Sequence, residues 1–204
     1  MAIIYGQRTT VPGLAGKFFN GSWRATIADG NIGTIPLTTT NDSSNVTGTT
    51  GLPSADHRFG VNLWTSIDFG NTIGNNYGFI CIGYFFPPAT GSYTFYTASD
   101  DSSGVWIGTN ALVGVTRTAG NAVVDNNLGV GQGVTERSGS TTLTRNVAYP
   151  IRIVMEEAAG GDALEFNWEG PGYSKQQDLT AFYRTPVNPD GSLTGDFFES
   201  WVGV

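Results

Sequence analysis

The sequence predicts an all-β fold, an antiparallel β-sandwich of Greek-key or jelly-roll type. Three observations lead there. Short runs of alternating apolar and polar residues recur along the chain, bounded by Gly, Pro, Asn and Ser. No window sustains the i, i+3, i+4 apolar spacing of a helix. The 204 residues include 29 glycines but are only 13% charged, about half the usual ~25% share. Such a chain is turn-rich and presents a neutral-polar surface.

The elements follow in order. Gly16–Phe19 is a short aromatic strand after the turn Val11-Pro12-Gly13. Residues 38–56, rich in Thr, Asn, Ser and Gly, read as a long loop, and Phe59–Phe69 as a loosely alternating strand. Tyr77–Phe86 is a continuous apolar run stopped by Pro87-Pro88, hence a strand buried on both faces. Ala89-Thr90-Gly91 is a turn. Ser92–Thr97 returns with Tyr93 and Phe95 on one face and Thr94 and Tyr96 on the other, so the two runs read as a hairpin.

Val105–Ile107 is a short strand and Gly108-Thr109-Asn110 a turn. Residues 118–133 are Gly/Asn-rich, with a strand expected at Ala122–Asp125. Thr135–Leu143 is polar and reads as an edge strand. Tyr149–Glu156 puts Ile151, Ile153 and Met155 on one face. Leu164, Phe166 and Trp168 alternate with Glu165, Asn167 and Glu169. The tight link Ala158–Asp162 makes these two a second expected hairpin. Residues 185–192 read as a linker, and Phe197, Phe198 and Trp201 give the end of the chain an aromatic tail. The domain organisation is therefore one sandwich over residues 1–185. Residues 186–204 follow as a linker and a C-terminal tail or closing strand.

Composition excludes several functions. Net charge is −7 and ten basic residues are scattered, which disfavours nucleic acid. No apolar stretch approaches the ~20 residues of a membrane span, so no membrane insertion is expected. The single cysteine, Cys81, reads as a small buried hydrophobe, and the single histidine, His57, as a surface or packing residue. No nucleophile elbow, phosphate loop or His-bearing metal motif is present, and no enzyme is expected. Met1–Arg8 lacks the pattern of a secretory signal. The chain reads as made without secretion or as a module of a larger secreted protein.

The chemistry concentrates at Ala98-Ser99-Asp100-Asp101-Ser102-Ser103-Gly104. Two adjacent carboxylates at a strand end repel each other and suit a hard cation that takes oxygen ligands. The same pair also suits a solvated turn. Trp106 and Trp168 lie in strands and read as core. Trp23 and Tyr173 lie in loops and are candidate ligand-binding residues.

Four stretches resemble the PA14 family in its lectin-like branch, the GLEYA/flocculin and bacterial adhesin type. Gly13-Leu14-Ala15-Gly16-Lys17-Phe18-Phe19 resembles the opening strand. Residues 84–95, YFFPPATGSYTF, resemble the central hairpin. Ser99-Asp100-Asp101 with Val105-Trp106-Ile107-Gly108 resembles the metal loop and the strand after it. Tyr149–Ile153 through Gly160-Gly161 to Trp168–Gly172 resembles the closing hairpin. The match runs in order over roughly residues 11–185.

The resemblance implies Ca²⁺ bound by Asp100 and Asp101, often across a cis peptide. It implies further oxygens from the loop Glu157–Asp162: the side chains of Glu157 or Asp162 and carbonyls of Ala159, Gly160 and Gly161. Sugar hydroxyls complete the shell. The second loop has Glu157-Ala158-Ala159 where the fungal pattern carries an Asn. Two functions follow. One is a calcium-dependent carbohydrate-binding module for adhesion to glycan surfaces, on a virion or an adhesin. The other is a structural or decoration protein of a larger assembly, similar to PA14-like virion proteins of tailed phages. The expected partners are glycans or cell-surface polysaccharide and other structural proteins. The expected location is a virion surface or a cell surface.

Overall fold

The computed structural model describes residues 9–20, 62–70, 75, 77–112 and 121–187. Among them the chain forms two antiparallel sheets around one apolar core, as the alternation predicted. The first sheet holds β1 (Thr10–Pro12), β2 (Leu14–Asn20), β3 (Asn62–Trp64), β5 (Tyr77–Phe85), β7 (Ser102–Ile107), β8 (Val124–Asn126), β10 (Tyr149–Glu157) and β13 (Tyr183–Pro186). Its main path runs β1-β13-β5-β10-β7-β8, with β2 pairing β3 and β5. The second sheet holds β4 (Asp68–Gly70), β6 (Gly91–Asp100), β9 (Thr135–Leu143), β11 (Ala163–Gly170) and β12 (Tyr173–Gln176). Its path is β12-β11-β6-β9, with β4 beside β11. No helix among the described residues is long and apolar enough to cross a membrane.

Side-chain pattern explains most elements. β5 is buried at every position, as a central strand covered on both faces must be. β6 alternates, with Tyr93 and Phe95 inward and Thr94 and Tyr96 outward. β9 is exposed along nearly its whole length and pairs with β6 alone, the edge strand its polar sequence predicts. Trp106 and Trp168 are buried. Cys81 is buried too, and burial pushes its thiol well above the ordinary range, as expected of an inert core residue.

Both expected hairpins are corrected. β5 and β6 do not pair; they lie in different sheets, and so do β10 and β11. The reason lies in the core. Phe79, Cys81 and Phe85 of β5 and Ile151, Ile153 and Met155 of β10 face one way. Across the gap stand Tyr93 and Phe95 of β6 and Leu164, Phe166 and Trp168 of β11, all in one cluster. Burying these rows against each other removes more apolar surface from water than ladder pairing does. Each five-residue link reaches across the ~10 Å between packed sheets. Pro87 and Pro88 lack the N–H donors that would continue a ladder. Tyr93 fixes that arch, its hydroxyl donating to Ala89 O (2.8 Å) and accepting from Ala89 N (3.2 Å).

The run Phe59–Phe69 also divides. β3 belongs to the first sheet and β4 to the second. The strand expected at Ala122–Asp125 begins at Val124. Thr185 and Pro186, read as the start of a linker, end β13 against β1. The loop 38–56, Trp23, His57 and the aromatic tail lie outside the described residues.

Phe85 stands at the middle of an aromatic group, its ring centroid 4.8–5.9 Å from those of Tyr93, Phe95, Trp168 and Tyr183. Phe85→Ala is expected to cost about 3–5 kcal/mol. Urea unfolding would read this as a lower midpoint at an unchanged m value. A loss under 1 kcal/mol would contradict the placement of Phe85 in the core.

Candidate metal centre

The acidic pair occupies an unusual place in this topology. β6 ends at Asp100 in the second sheet, and β7 begins at Ser102 in the first. Asp101 alone links them, and the Asp100–Asp101 peptide bond is cis, as the family resemblance implied. The other crossing, from Glu157 at the end of β10 to Ala163 at the start of β11, lies alongside. Asp100 is in register with Ala163, and Ser102 with Glu156. Two ladders thus pin both crossings to the same end of the sandwich.

That arrangement gathers carboxylates. Asp100, Asp101 and Glu157 each offer an oxygen within 4.8 Å of the others. Glu157 has no exposed surface and Asp101 is only 5% exposed. Three acids this close in a poorly solvated place repel strongly, which favours a counter-charge. The donors are all oxygen. The set fits a hard divalent cation of the calcium kind and lacks the His and Cys ligands that zinc takes.

Asp101 is held from two sides. Its Oδ1 accepts the backbone N–H of Gln132 and its Oδ2 that of Ala158, both at 3.0 Å. Its carbonyl accepts the Ser99 hydroxyl at 2.9 Å and the Gln132 side-chain amide at 3.1 Å. Below it, Ser99, Ser103 and Thr97 form a hydroxyl chain with steps of 2.7 and 2.8 Å.

The remaining expected residues divide. Asp162 is buried at the same end, but its Oδ2 accepts the Tyr77 hydroxyl at 2.9 Å and it stands outside the three-acid group. Ala159 and Gly160 are exposed on the loop, with Gly161 half-buried. Gly160 has φ +116°, a conformation that favours glycine, and its N–H donates to Asn75 Oδ1 at 2.9 Å. Tyr173 is not brought to the site. It pairs with Gly170, next to Glu169, which is in register with Thr94. Asp100 lies six residue steps along the strand from Thr94, roughly 20 Å. Tyr173 packs instead on Trp168 and Phe182. Trp23 lies outside the described residues.

Sequence reasoning missed Gln132, Asn126, Asn75 and Tyr77. Gln132 sits in the Gly/Asn-rich stretch and Tyr77 in an apolar run. Nothing local marks either as a neighbour of Asp101 or Asp162.

Residues 77–170 match the GLEYA domain model. The stretch runs from β5 to the end of β11, so it holds both crossings and all three clustered acids. The flocculation protein FLO10 of Saccharomyces cerevisiae is 27% identical over 152 residues, which is 70% of this chain. The chain spans only 12% of that relative's length. Among solved structures, the epithelial adhesin 6 A domain of Candida glabrata, in complex with Galβ1-3GlcNAc, superposes with a TM-score of 0.54 at 18% identity. The superposition covers 93% of this chain and 95% of that one. The PA14 domain of the antifreeze protein MpAFP gives 0.52 at 16% identity, covering 91% and 96%. At such identities the likeness is one of fold. The resemblance to lectin-like PA14 domains read from four motifs is thus shown by independent comparison.

Burial pushes the Tyr77 hydroxyl well above its ordinary range, and the charges of Asp162, Glu157 and Asp100 push it further. The folded protein therefore keeps a proton that the unfolded chain loses near pH 10. Stability is expected to be full below that pH and to fall as pH rises above it. Tyr77→Phe should lower neutral-pH stability by about 1.5–3 kcal/mol, the worth of a hydrogen bond to a charged group. It should also flatten the alkaline decline. Urea melts from pH 7 to 11 test both; an unchanged alkaline slope would contradict the assignment.

Proposed function

We propose that this protein is a calcium-dependent carbohydrate-binding module that attaches its carrier to glycan surfaces. The observation that carries the reading is the convergence of Asp100, Asp101 and Glu157 within 4.8 Å at one end of the sandwich. The likeness to a flocculation protein and to a glycan-bound adhesin domain supports it. Asp100, Asp101 and Glu157 would hold the ion, with carbonyls of Ala159, Gly160 and Gly161 as further oxygens. Bound calcium accepts six to eight oxygens, so it supplies open positions for vicinal sugar hydroxyls.

The chain's own residues do the rest. Backbone N–H groups of Gln132 and Ala158 orient the Asp101 carboxylate. Asn75 steadies Gly160 at the exposed tip of the second loop. Among the described residues no heavy atom lies within 4 Å of a Cβ built on Gly160. The tip therefore borders open space where a sugar can sit. Asp162, committed to Tyr77, anchors the end of that loop. The reading places the domain on a cell or virion surface, with glycans as partners.

Calorimetric titration with Ca²⁺ and a glycan array with and without EDTA test the proposal. The chain should bind calcium and capture glycans in an EDTA-sensitive way. Asp100→Ala/Asp101→Ala should lose both. Saturating calcium at 100 times Kd should add about 2.7 kcal/mol of stability. Absence of both calcium and glycan binding would overturn the reading and favour a scaffold role.

Glu157→Gln gives a sharper sign test. It removes one of three clustered negative charges. In EDTA its melting temperature should exceed that of the parent protein, and in excess calcium the order should reverse. The same order in both buffers would exclude Glu157 as a ligand.

A further inference from the structure

We infer that Gln132 is a positioning residue for the acidic centre: its side chain clamps Asp101 and so sets cation affinity. The inference rests on the calcium reading above. It assigns a role to the loop between β8 and β9, which sequence analysis left as a Gly/Asn-rich connection.

The geometry is specific. The Gln132 side-chain nitrogen lies 3.1 Å from Asp101 O, 3.3 Å from Ser99 O and 2.9 Å from Asn126 Oδ1. All three partners are carbonyl oxygens, and an amide nitrogen carries two N–H groups to share among them. The backbone N–H of the same residue donates to Asp101 Oδ1. Gln132 thus grips Asp101 at its main-chain carbonyl and at its carboxylate together. That double hold limits rotation of the carboxylate about both side-chain torsions.

The clamp has a fixed base. Asn126 has no exposed surface. Its amide nitrogen donates to Thr97 O at 2.9 Å and Thr135 O at 2.8 Å, which ties it to β6 and β9. Asn126 Oδ1 therefore presents a rigid acceptor to Gln132. A second tie runs alongside: Gly129 N donates to Ser102 Oγ, which donates to Glu156 Oε1. The loop is fastened to the strand that follows Asp101 as well as to Asp101. Partners that orient ligating carboxylates typically change metal affinity 10- to 100-fold when removed.

Gln132→Met keeps length and volume, removes the side-chain donors and leaves the backbone N–H in place. Gln132→Glu keeps the shape but faces three acceptor oxygens with another acceptor. Calorimetric Ca²⁺ titration should be run well below the melting temperature of each variant. Terbium luminescence lifetimes in H₂O and D₂O would count waters on the bound ion. Both variants should bind calcium roughly 10- to 100-fold more weakly than the parent protein, with additional water in the terbium shell.

An unchanged Kd and water count, with only a lower melting temperature, would overturn the inference and leave Gln132 a structural residue. Should Gln132→Met fail to fold, Gln132→Asn shortens the amide's reach by one methylene, and an affinity equal to the parent's overturns the inference in the same way. A parent protein that binds no calcium overturns the calcium reading itself. Parent binding with unaltered variants sinks only the role of Gln132, so the two failures are distinguishable.

Discussion

The constraint on which this structure depends is the side-by-side passage of two chain crossings at one end of the sandwich. β6 hands over to β7 through Asp101 alone, and β10 hands over to β11 through Ala158–Asp162. Each crossing is forced by the core, because inward rows on consecutive strands bury each other only from opposite sheets. Their adjacency is then forced by pairing. With Asp100 opposite Ala163 in one sheet and Ser102 opposite Glu156 in the other, the two links cannot separate without breaking both ladders. The position of the acids at this end therefore rests on two strand ladders, and loop residues Gln132 and Ala158 then orient the Asp101 carboxylate.

That placement carries an electrostatic cost, and the surrounding groups are arranged to meet it. Burying carboxylates near one another is unfavourable unless donors or a cation neutralise them. Asp101 receives backbone N–H groups from two separate loops, and Asp162 receives the Tyr77 hydroxyl. Tyr77 also packs against Phe18 in the aromatic core, so the hydrogen bond to Asp162 couples the site to the packed interior. Arg152 shows the same economy of solvation in reverse. It is buried on β10, and loss of solvent lowers its pKa to about 10. Its backbone register partners are Ile82 and Trp106.

Alternation within each strand was legible because it is local. The buried run of β5, the two-faced β6 and β11 and the exposed β9 all follow from period-two burial. Which strands pair was not legible, because a short turn signal does not say whether the chain folds back in-plane or arches to the opposite sheet. Pro87-Pro88 fits either outcome. At the site, Asp100-Asp101 was conspicuous because adjacent acids are costly anywhere. Glu157 entered through family resemblance. Gln132 lies 31 residues beyond Asp101, and its role follows from the path of the intervening strands. Tyr173, read as a loop residue, instead opens β12 and pairs with the far end of β11, and sequence order carries no sign of which end of the sandwich it occupies.

The same topology separates what is fixed from what can vary. The acids on β6 and β10 stand at ladder ends, where a shift in register would turn inward residues outward. The residues between them are under no such constraint. Ala159 and Gly160 are exposed, and the Gly160 main-chain N–H donates to Asn75 Oδ1. Substitution at the tip of the second loop can reshape the rim without moving the carboxylates beneath it. The departure from the fungal pattern, Glu157-Ala158-Ala159, spans both parts: Glu157 belongs to the three-acid group and Ala159 to the exposed tip. The acids are thus placed by strand register while the exposed tip belongs to a short loop, so sequence change at the tip need not disturb them.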